Sequence, residues 1–326
     1  MAALANTVLT TAAVGNREEL SDIVSMITPT DTPIYTMAKK VKISSKHPEW
    51  EYEALRAPAE NAQPEGNEFD FDAQNAPTRV GNYTQIFRDT WIFSGTQQAV
   101  DNAGDQEKAA KAKMKAGVNV RKDIEFSIVS NTASVATGVR YSGGLPSWLT
   151  SNVSRAGSNG GFNSGTGLTV AETTGSQRAF SKTLLDTVMQ SAFNSGANVT
   201  DVVVSPYVKS VFVTFMSDSN VAAFRYAASS TGKNTIVGTA DIYEGPFGKV
   251  TVKANRVMTT SATARRAFLL DPDMIAWGTL RPIQEAETAK TGDSVKGVIL
   301  GEGTLKVMNE AGLGLVSDLY GLTSNT

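Results

Sequence analysis

The chain has 326 residues, an ordinary globular composition with 41% hydrophobic residues, and a length that suggests roughly two domains. Its 30 basic and 32 acidic residues give a formal net charge of −2, with no block of Lys or Arg that could follow a phosphate backbone, so direct reading of nucleic acid is not expected. Cysteine is absent, which excludes a disulfide framework, a thiolate zinc site and a cysteine nucleophile, and fits a reducing cytosol.

The first part of the chain is predicted to be an arm that contains one short helix. It has neither a basic leader nor a long apolar run, and no later stretch approaches the length of a membrane span, so neither secretion nor membrane insertion is expected. Two X-Pro steps, at Pro29 and Pro33, favour extended or turn backbone and end the helix. The helix is predicted from four apolar residues at helical spacing: Leu20, Ile23, Val24 and Ile27.

Two strands are predicted next, one in HPEWEYEAL and one in NYTQIFRDTWIFSGT. In the first, Trp50 and Tyr52 alternate with glutamates, which is the period-two pattern of a strand with one solvated face. We expect the two strands to pair antiparallel, with residues 56–80 projecting from their far end. In the second strand, one face carries Tyr83, Phe87, Trp91 and Phe93, and the other carries Ile86 and Ile92.

The stretch between these strands, RAPAENAQPEGNEFDFDAQNAPTRV, contains almost nothing that a domain core would bury except Phe69 and Phe71. Loops of this length without secondary structure are uncommon in compact domains, and most are linkers or contact surfaces. The stretch is therefore predicted to work by touching something else.

A long helix is predicted to run unbroken from near Ala99 into the region of Ile128, in a stretch rich in Ala, Lys and Glu. Its apolar stripe leads us to expect Met114, Ile124 and Ile128 in the core, with the lysines in solvent. Residues 134–175 follow and are rich in Gly, Ser and Asn. By composition they are predicted to form a flexible surface loop in an isolated monomer.

A second unit of mixed helices and strands is predicted from about residue 176. Ser181 is a candidate N-cap for a helix that ends at Gly196, and strand DVVVS leads into a helix with Ser205 as cap and Pro206 at its first position. A hairpin is predicted around residues 245–248, followed by strands in AFLLDPDMIAWGTL and SVKGVILGEGTLKVMN. The fold class predicted for the whole chain is α+β.

Catalytic motifs are not found in the sequence. His47 is the only histidine, so it provides neither a triad nor a metal cluster by itself, and a structural role at the start of a strand is predicted. The chain has no P-loop motif and no G-x-S-x-G frame. The Gly301-Glu302-Gly303 and Gly312-Leu313-Gly314 triplets do not extend to a dinucleotide fingerprint and are interpreted as bulges or turns.

Paired carboxylates are the remaining enzymatic possibility. Asp70 with Asp72, or Asp271 with Asp273, have a spacing that an acid and nucleophile pair of a glycosidase could use. Acidic turns and edge strands produce the same spacing far more often. We therefore expect no catalytic residue, no cofactor and no metal.

The order of arm, strand, projecting loop, strand, long helix and separate α+β unit resembles the major capsid proteins, or major head proteins, of tailed bacteriophages, which have an HK97-like fold. The resemblance extends along nearly the whole chain and rests on the number and order of matching phrases, since none of them is a catalytic motif. The phrases are LSDIVSMITPTDTPIY, HPEWEYEAL, NYTQIFRDTWIFSGTQQAVDNAG, YEGPFGKVTVKANR and LLDPDMIAWGTLRPIQEAETAKTGD.

This resemblance implies a structural protein that self-assembles into hexamers and pentamers of an icosahedral phage head enclosing double-stranded DNA. It implies assembly in the host cytoplasm and a final location in the virion, with no cofactor and no membrane. The implied partners are other copies of the chain, together with portal, scaffolding, decoration or minor capsid proteins, and packaged DNA contacted non-specifically. The implied division is an N-terminal arm at 1–45, an extended-loop hairpin at 46–95, a peripheral domain with a spine helix and the Gly/Ser-rich loop at 96–175, an axial domain at 176–275, and return strands at 276–326.

The same resemblance places residues 56–80 over a neighbouring subunit. Some shells of this fold are cross-linked between a loop lysine and an asparagine, but this stretch has no lysine, so that bond is not expected. Little room remains before the arm for a cleaved assembly domain, so scaffolding is expected from a separate chain. The expected contact residues are Glu60, Glu65, Glu68, Phe69, Asp70, Phe71 and Asp72, facing basic groups of the neighbour, with Met114, Ile124 and Ile128 forming the core face of the spine helix.

Two other classes of protein stay open at this point. A carbohydrate-active enzyme that uses two carboxylates would need them in a concave site. A secreted surface-layer or adhesin module would explain the Ser, Thr and Gly content, but it would carry an export signal. Neither class matches the phrases that resemble major head proteins.

Overall fold

The computed structural model describes residues 30–66, 68, 71, 75–100, 108–214, 241–286, 288–289 and 292–324. The helix expected around residues 20–27 lies outside this part of the chain. Most described strands belong to two sheets, one of four strands and one of six. Helices and strands are mixed along the chain, so the predicted α+β class is confirmed.

The four-stranded sheet has the order β1, β12, β13, β4. Strand β1 runs parallel to β12, whereas β12, β13 and β4 are antiparallel neighbours. Odd-numbered residues of β4, such as Phe87, face inward, while Ile86 and Ile92 are exposed, as the alternation predicted. The strand bounds are Lys39–Lys42 for β1, Gln85–Ser94 for β4, Ile275–Ala286 for β12 and Ser294–Val307 for β13.

Two helices lie against this sheet. The long helix α3, Lys108–Val129, packs on β4 and β13, and the short helix α1, Pro33–Met37, packs on α3. The face of α3 that meets the sheet is apolar and buried, and its residues recur every four positions, as one side of a helix requires: Ala116, Val120, Ile124 and Ile128.

The six-stranded sheet has the order β5, β14, β11, β8, β10, β9. Helices α4, Lys182–Asn194, and α5, Pro206–Thr214, begin at the two predicted caps, because Ser181 Oγ accepts from Leu184 N at 3.4 Å and Ser205 Oγ accepts from Val208 N at 3.2 Å. The strands are Val153–Ser154 for β5, Asp201–Val204 for β8, Ile242–Gly245 for β9, Gly248–Ala254 for β10, Ala267–Leu270 for β11 and Gly314–Val316 for β14.

The chain passes from β4 to β5 through residues 95–152, and it crosses between the two sheets again by two short connections, at residues 271–274 and 308–313. The two short crossings are hydrogen-bonded to each other, with Met308 N donating to Met274 O at 2.9 Å. Asp271 is buried at the first crossing and caps a 3-10 turn by accepting from Asp273 N at 2.9 Å, while Asp273 pairs with Lys39 at 2.7 Å. This aspartate pair therefore serves the turn, as the ordinary interpretation of its spacing predicted.

The predicted pairing of the strands around the projecting loop is wrong. The first of them, β2 (Glu49–Tyr52), pairs antiparallel with β3 (Thr78–Gly81), and β4 pairs instead with β13. The second strand of the hairpin therefore begins at Thr78, seven residues before the start of β4 at Gln85. Because the short strand β3 pairs with β2 in the position predicted for β4, β4 can pair with β13 in the four-stranded sheet.

The predicted unbroken helix is also wrong at its start. A short helix α2, Gly95–Ala99, ends at Val100, whose φ of −77° and ψ of 133° are extended. Residues 101–107 lie outside the described chain, and α3 is described from Lys108. Met114 is 68% exposed and not part of the core, because the buried stripe of α3 passes through Ala116 and Val120 and leaves Met114 on its flank.

The tract of residues 134–175, hereafter the glycine-serine tract, is folded, so the prediction of a flexible surface loop is wrong. It contains a 3-10 turn, Leu145–Ser147, and the strands β5, β6 (Gly161–Asn163) and β7 (Leu168–Val170). Its backbone is held by side chains: Ser134 N donates to Thr169 Oγ1 and Thr169 N donates to Ser134 Oγ, both at 2.8 Å. Such side-chain bonds replace the ladder of a larger sheet.

Candidate intersubunit contact surfaces

Trp50 anchors the hairpin formed by β2 and β3 in the protein core. It is 7% exposed, and its indole Nε1 donates to Val307 O at 2.8 Å. Its ring stacks on Trp148 at 5.6 Å, and Trp148 stacks on Phe162 at the same centroid distance. Three aromatic side chains from different parts of the chain thus fix the base of the hairpin.

His47 lies beside this base and has a structural environment. Its ring stacks on Tyr83 with centroids 4.1 Å apart and planes 13° apart, and its Nδ1 lies 3.9 Å from a carboxylate oxygen of Glu49. Within the described residues, no group of three or more His, Asp or Glu side chains has a geometry that could hold a metal ion.

Residues 53–77, hereafter the projecting segment, follow this anchored base, and their described residues lie in solvent. All described residues between 53 and 66 are exposed and outside helices and strands. Leu55 is 98% exposed and Phe71 is 96% exposed, so neither contributes to the core of its own subunit. Glu60, Glu65 and Glu68 are exposed too, and no described residue forms an ion pair with them. The expected contact residues Phe69, Asp70 and Asp72 lie outside the described residues.

A cleft of about 460 Å³ opens beside α1, α3 and the four-stranded sheet, and three cationic side chains line it. Lys40 comes from β1, Arg121 from α3 and Arg281 from β12; we call this the basic cleft. Tyr35 and Ile283 contribute apolar surface between the cations.

Lys40 is electrostatically unusual. Its ammonium lies over the Tyr35 ring, 3.3 Å from the centroid, and donates to the Tyr35 carbonyl oxygen. Burial in this position lowers the pKa of Lys40 to about 8; Glu125 acts in the opposite direction and Arg121 lowers the pKa further. Arg121 forms no ion pair with a described residue.

The comparisons with known proteins agree with the geometry. The family model described as SU10 major capsid protein matches residues 6–320, which is nearly the whole chain. The chain belongs to the SU10 major capsid protein family.

A curated relative is also described as a major capsid protein. The major capsid protein of Escherichia phage Phieco32 is 29% identical over 121 residues, which are 36% of this chain and 34% of that protein. The aligned part thus spans about a third of the relative.

Solved structures show the fold of this SU10 family member. A chain of the Cyanophage A-1(L) capsid asymmetric unit has a TM-score of 0.60 and 11% identity, covering 97% of this chain and 99% of that one. A chain from the capsid of the native GTA particle has a TM-score of 0.61 and 12% identity, covering 96% and 99%. The expected HK97-like capsid fold is thereby confirmed.

Two buried carboxylates support the surfaces of this SU10 family member. Glu302 accepts from Thr84 Oγ1 at 2.9 Å and pairs with Arg140 at 2.7 Å and Arg281 at 2.8 Å. The glycines on either side of Glu302, for which a bulge or turn was predicted, lie inside strand β13. The pairing of β13 with β12 is irregular at this point, and the irregularity is in β12. Glu302 is therefore already hydrogen-bonded and paired with two arginines within its own subunit.

Glu125 holds α1 against α3. Its two carboxylate oxygens accept from Ile34 N at 3.1 Å, Tyr35 N at 2.7 Å and Asn255 Nδ2 at 2.6 Å. Burial raises the pKa of this carboxyl, and the three hydrogen bonds offset part of that shift. The bonds fix the point at which the N-terminal part of the chain joins the fold.

Sequence reasoning did not find the basic cleft. Its three cations are far apart in the sequence, and only their meeting in the fold makes a site. Arg121 was a usable signal, because it is exposed beside the apolar stripe of α3, and arginine is enriched at protein interfaces. The described helices include none whose length and apolarity suit a membrane crossing.

Proposed function

We propose that this chain is the shell-forming subunit of a phage head and that it assembles into hexamers and pentamers around double-stranded DNA. The observation that carries the proposal is the projecting segment, which leaves a firmly anchored base and exposes Leu55 and Phe71 almost completely. Ordering such a segment costs conformational entropy that contacts within one subunit do not repay. Membership of the SU10 major capsid protein family supplies the partner, namely other copies of the same chain.

The proposed division of the chain keeps the ranges expected from the sequence. Residues 1–45 are the arm, 46–95 the extended-loop region, 96–175 and the four-stranded sheet the peripheral domain, and 176–275 with β14 most of the axial domain. The two sheets support this division, as does a second apolar cluster formed by the six-stranded sheet and helices α4 and α5. Residues 276–326 contribute to both sheets, as return strands.

The proposed role is structural. No catalytic residue or cofactor is assigned, and the proposed location is the virion after assembly in the host cytoplasm. Proposed further partners are portal, scaffolding, decoration or minor capsid proteins, with non-specific contacts to packaged DNA. The capsid descriptions of the family and of the curated relative support self-association as the central activity.

Electron microscopy of purified protein tests the proposal. The first sample is the full chain, and the second replaces residues 54–76 by a short Gly-Ser turn that keeps β2 and β3 paired. We expect closed shells or capsomers from the full chain, and a folded but assembly-defective protein from the variant, with an unchanged circular dichroism spectrum. Normal closed shells from the variant would contradict the proposed role of the projecting segment.

Cohesion of the shell is proposed to be non-covalent. Residues 56–80 contain no lysine for an isopeptide bond, and the chain contains no cysteine for a disulfide. Mature particles boiled in detergent should therefore give one monomer band on a gel. A ladder of covalently linked pentamers and hexamers would refute the idea.

A further inference from the structure

We propose that the basic cleft receives the acidic and aromatic part of the projecting segment, around Glu68 and Phe71, from a second copy of the chain. The proposal rests on the proposed function, because it assumes that the chain assembles. It goes further by naming the receiving site and the residues on both sides.

The charges in the cleft are unbalanced without a partner. Glu302 is its one carboxylate among the lining residues, and that group is already shared by Arg140 and Arg281. Lys40 and Arg121 form no ion pair with a described carboxylate. Glu125 acts on Lys40 only from a distance, so neither cation has a directly paired carboxylate among the described residues, and an incoming carboxylate would supply one.

The charges of the projecting segment are unbalanced in the opposite sense. Glu60, Glu65 and Glu68 are exposed and lack ion pairs to described residues. Arg79, at the base of the hairpin, forms an ion pair with Glu49 and is not available to these glutamates. The sequence from 68 to 72, EFDFD, concentrates three acids and two aromatic side chains in five residues.

Apolar surface favours this protein segment over a nucleic acid backbone as the occupant. Between its cations the cleft presents the partly exposed side chains of Tyr35, Pro282 and Ile283. A phenylalanine such as Phe71, which is almost fully exposed in its own subunit, gains by covering that surface. A phosphodiester backbone would satisfy the cations and leave the apolar surface uncovered.

The described part of the same subunit's projecting segment does not fill the cleft. None of the described residues between 53 and 66, and neither Glu68 nor Phe71, lines it, and all of them are exposed to solvent. The occupant therefore comes from another copy, which is the arrangement that a closed, symmetric assembly can repeat at every subunit.

Charge reversal with rescue tests the proposal. Arg121→Glu and Glu68→Arg should each cause loss of sedimenting particles, whereas the double variant should restore them, because the pair is attractive again in the opposite polarity. Lys115→Glu is the matched control, because it makes the same charge change on an exposed position of α3 outside the cleft and should leave particle yield unchanged. Circular dichroism of each dissociated subunit excludes misfolding as the cause.

Site-specific photocrosslinking gives a second readout that does not depend on the charge variants. A photoreactive phenylalanine analogue at position 71 should, in assembled particles, link to peptides of another subunit that contain residues 35–40, 121 or 281–283. Links confined to other peptides would overturn the proposal. Particles of normal yield from Arg121→Glu would also overturn it. If those particles failed only to retain DNA, the result would assign the cleft to phosphate. Failure of the proposed function looks different, because shells then form without the projecting segment.

Discussion

The glycine-serine tract and the projecting segment are both rich in turn-forming residues, yet the structure treats them in opposite ways. Two carboxylates hold the tract in place, Glu172 from within it and Asp318 from far along the chain. Glu172 pairs with Arg155 and Arg266, and Asp318 accepts from the backbone amides of Ala156, Gly157 and Gly175. Within the described part of the projecting segment, by contrast, the glutamates have no such partners. Composition is therefore a poor guide to order, because what decides it is whether side chains find backbone partners in the same subunit.

The largest expected effect comes from removing the carboxylate of Glu172. Arg155 and Arg266 have side chains only 3% and 5% exposed, so Glu172→Ala leaves two buried cations without their carboxylate. Loss of one partner of a buried pair costs about 3–5 kcal/mol, and we expect little soluble protein. Glu65→Ala, the matched change in the projecting segment, should leave thermal unfolding of the subunit unchanged. Equal melting temperatures for both variants would show that the tract does not depend on Glu172.

A pair of glycine substitutions sharpens the same contrast. A Cβ at Gly157 would clash with the carbonyl oxygen of Thr173, whereas a Cβ at Gly66 meets nothing within 4 Å. Gly157→Ala should therefore cost about 2–4 kcal/mol through backbone displacement, measured by denaturant unfolding. Gly66 has a φ of +81°, so Gly66→Ala should cost only about 1 kcal/mol of backbone strain. The comparison is weakened if the two costs are the same.

Proteolysis separates the two regions without a mutation. A glutamate-specific protease should cut unassembled subunits within the projecting segment, at Glu60, Glu65 or Glu68, and leave the glycine-serine tract intact. In assembled shells the same sites should be protected, because the segment then lies on a neighbour. Peptide mapping after brief digestion measures both states, and equal cleavage in subunits and shells would contradict the assembly contact.

The smallest expected effect concerns Lys40. In the folded subunit its pKa is lowered to about 8, whereas an unfolded lysine titrates near 10.4. Between these values the unfolded chain binds more protons than the folded one, so the stability of the subunit should rise with pH there, relative to Lys40→Met. Assembly should raise the lysine pKa, because a carboxylate then faces the ammonium. NMR titration of the labelled lysine in subunits and dissociable capsomers tests both statements.

Much of the fold followed from local patterns. The caps at Ser181 and Ser205 were predictable because the residue types that satisfy free helix amides are few. Strands β8 to β13 were predictable from continuous apolar or alternating runs, and the hairpin at 245–248 from its glycines.

Other features depended on distant partners and left no local pattern. Strand β3, with the sequence TRVG, is recognisable only beside Trp50 and its neighbours, so the hairpin register was missed. The order of the glycine-serine tract depends on residues as distant as Asp318. The basic cleft needs Lys40, Arg121 and Arg281 in one place, which no spacing rule predicts. Of the proposed contact, the sequence showed only the acidic and aromatic character of residues 68–72.

The two adjacent crossings between the sheets have a mechanical consequence. Residues 271–274 and 308–313 run side by side and share the bond from Met308 N to Met274 O, and one apolar cluster contains residues of both sheets, such as Trp277 and Leu315. Two short adjacent connections beside a shared apolar cluster allow small changes in the angle between the sheets and oppose sliding of one sheet past the other. We therefore expect a subunit to adapt to flatter or more sharply curved parts of a shell by changing one angle, with Gly312 packed against Met274 as the pivot.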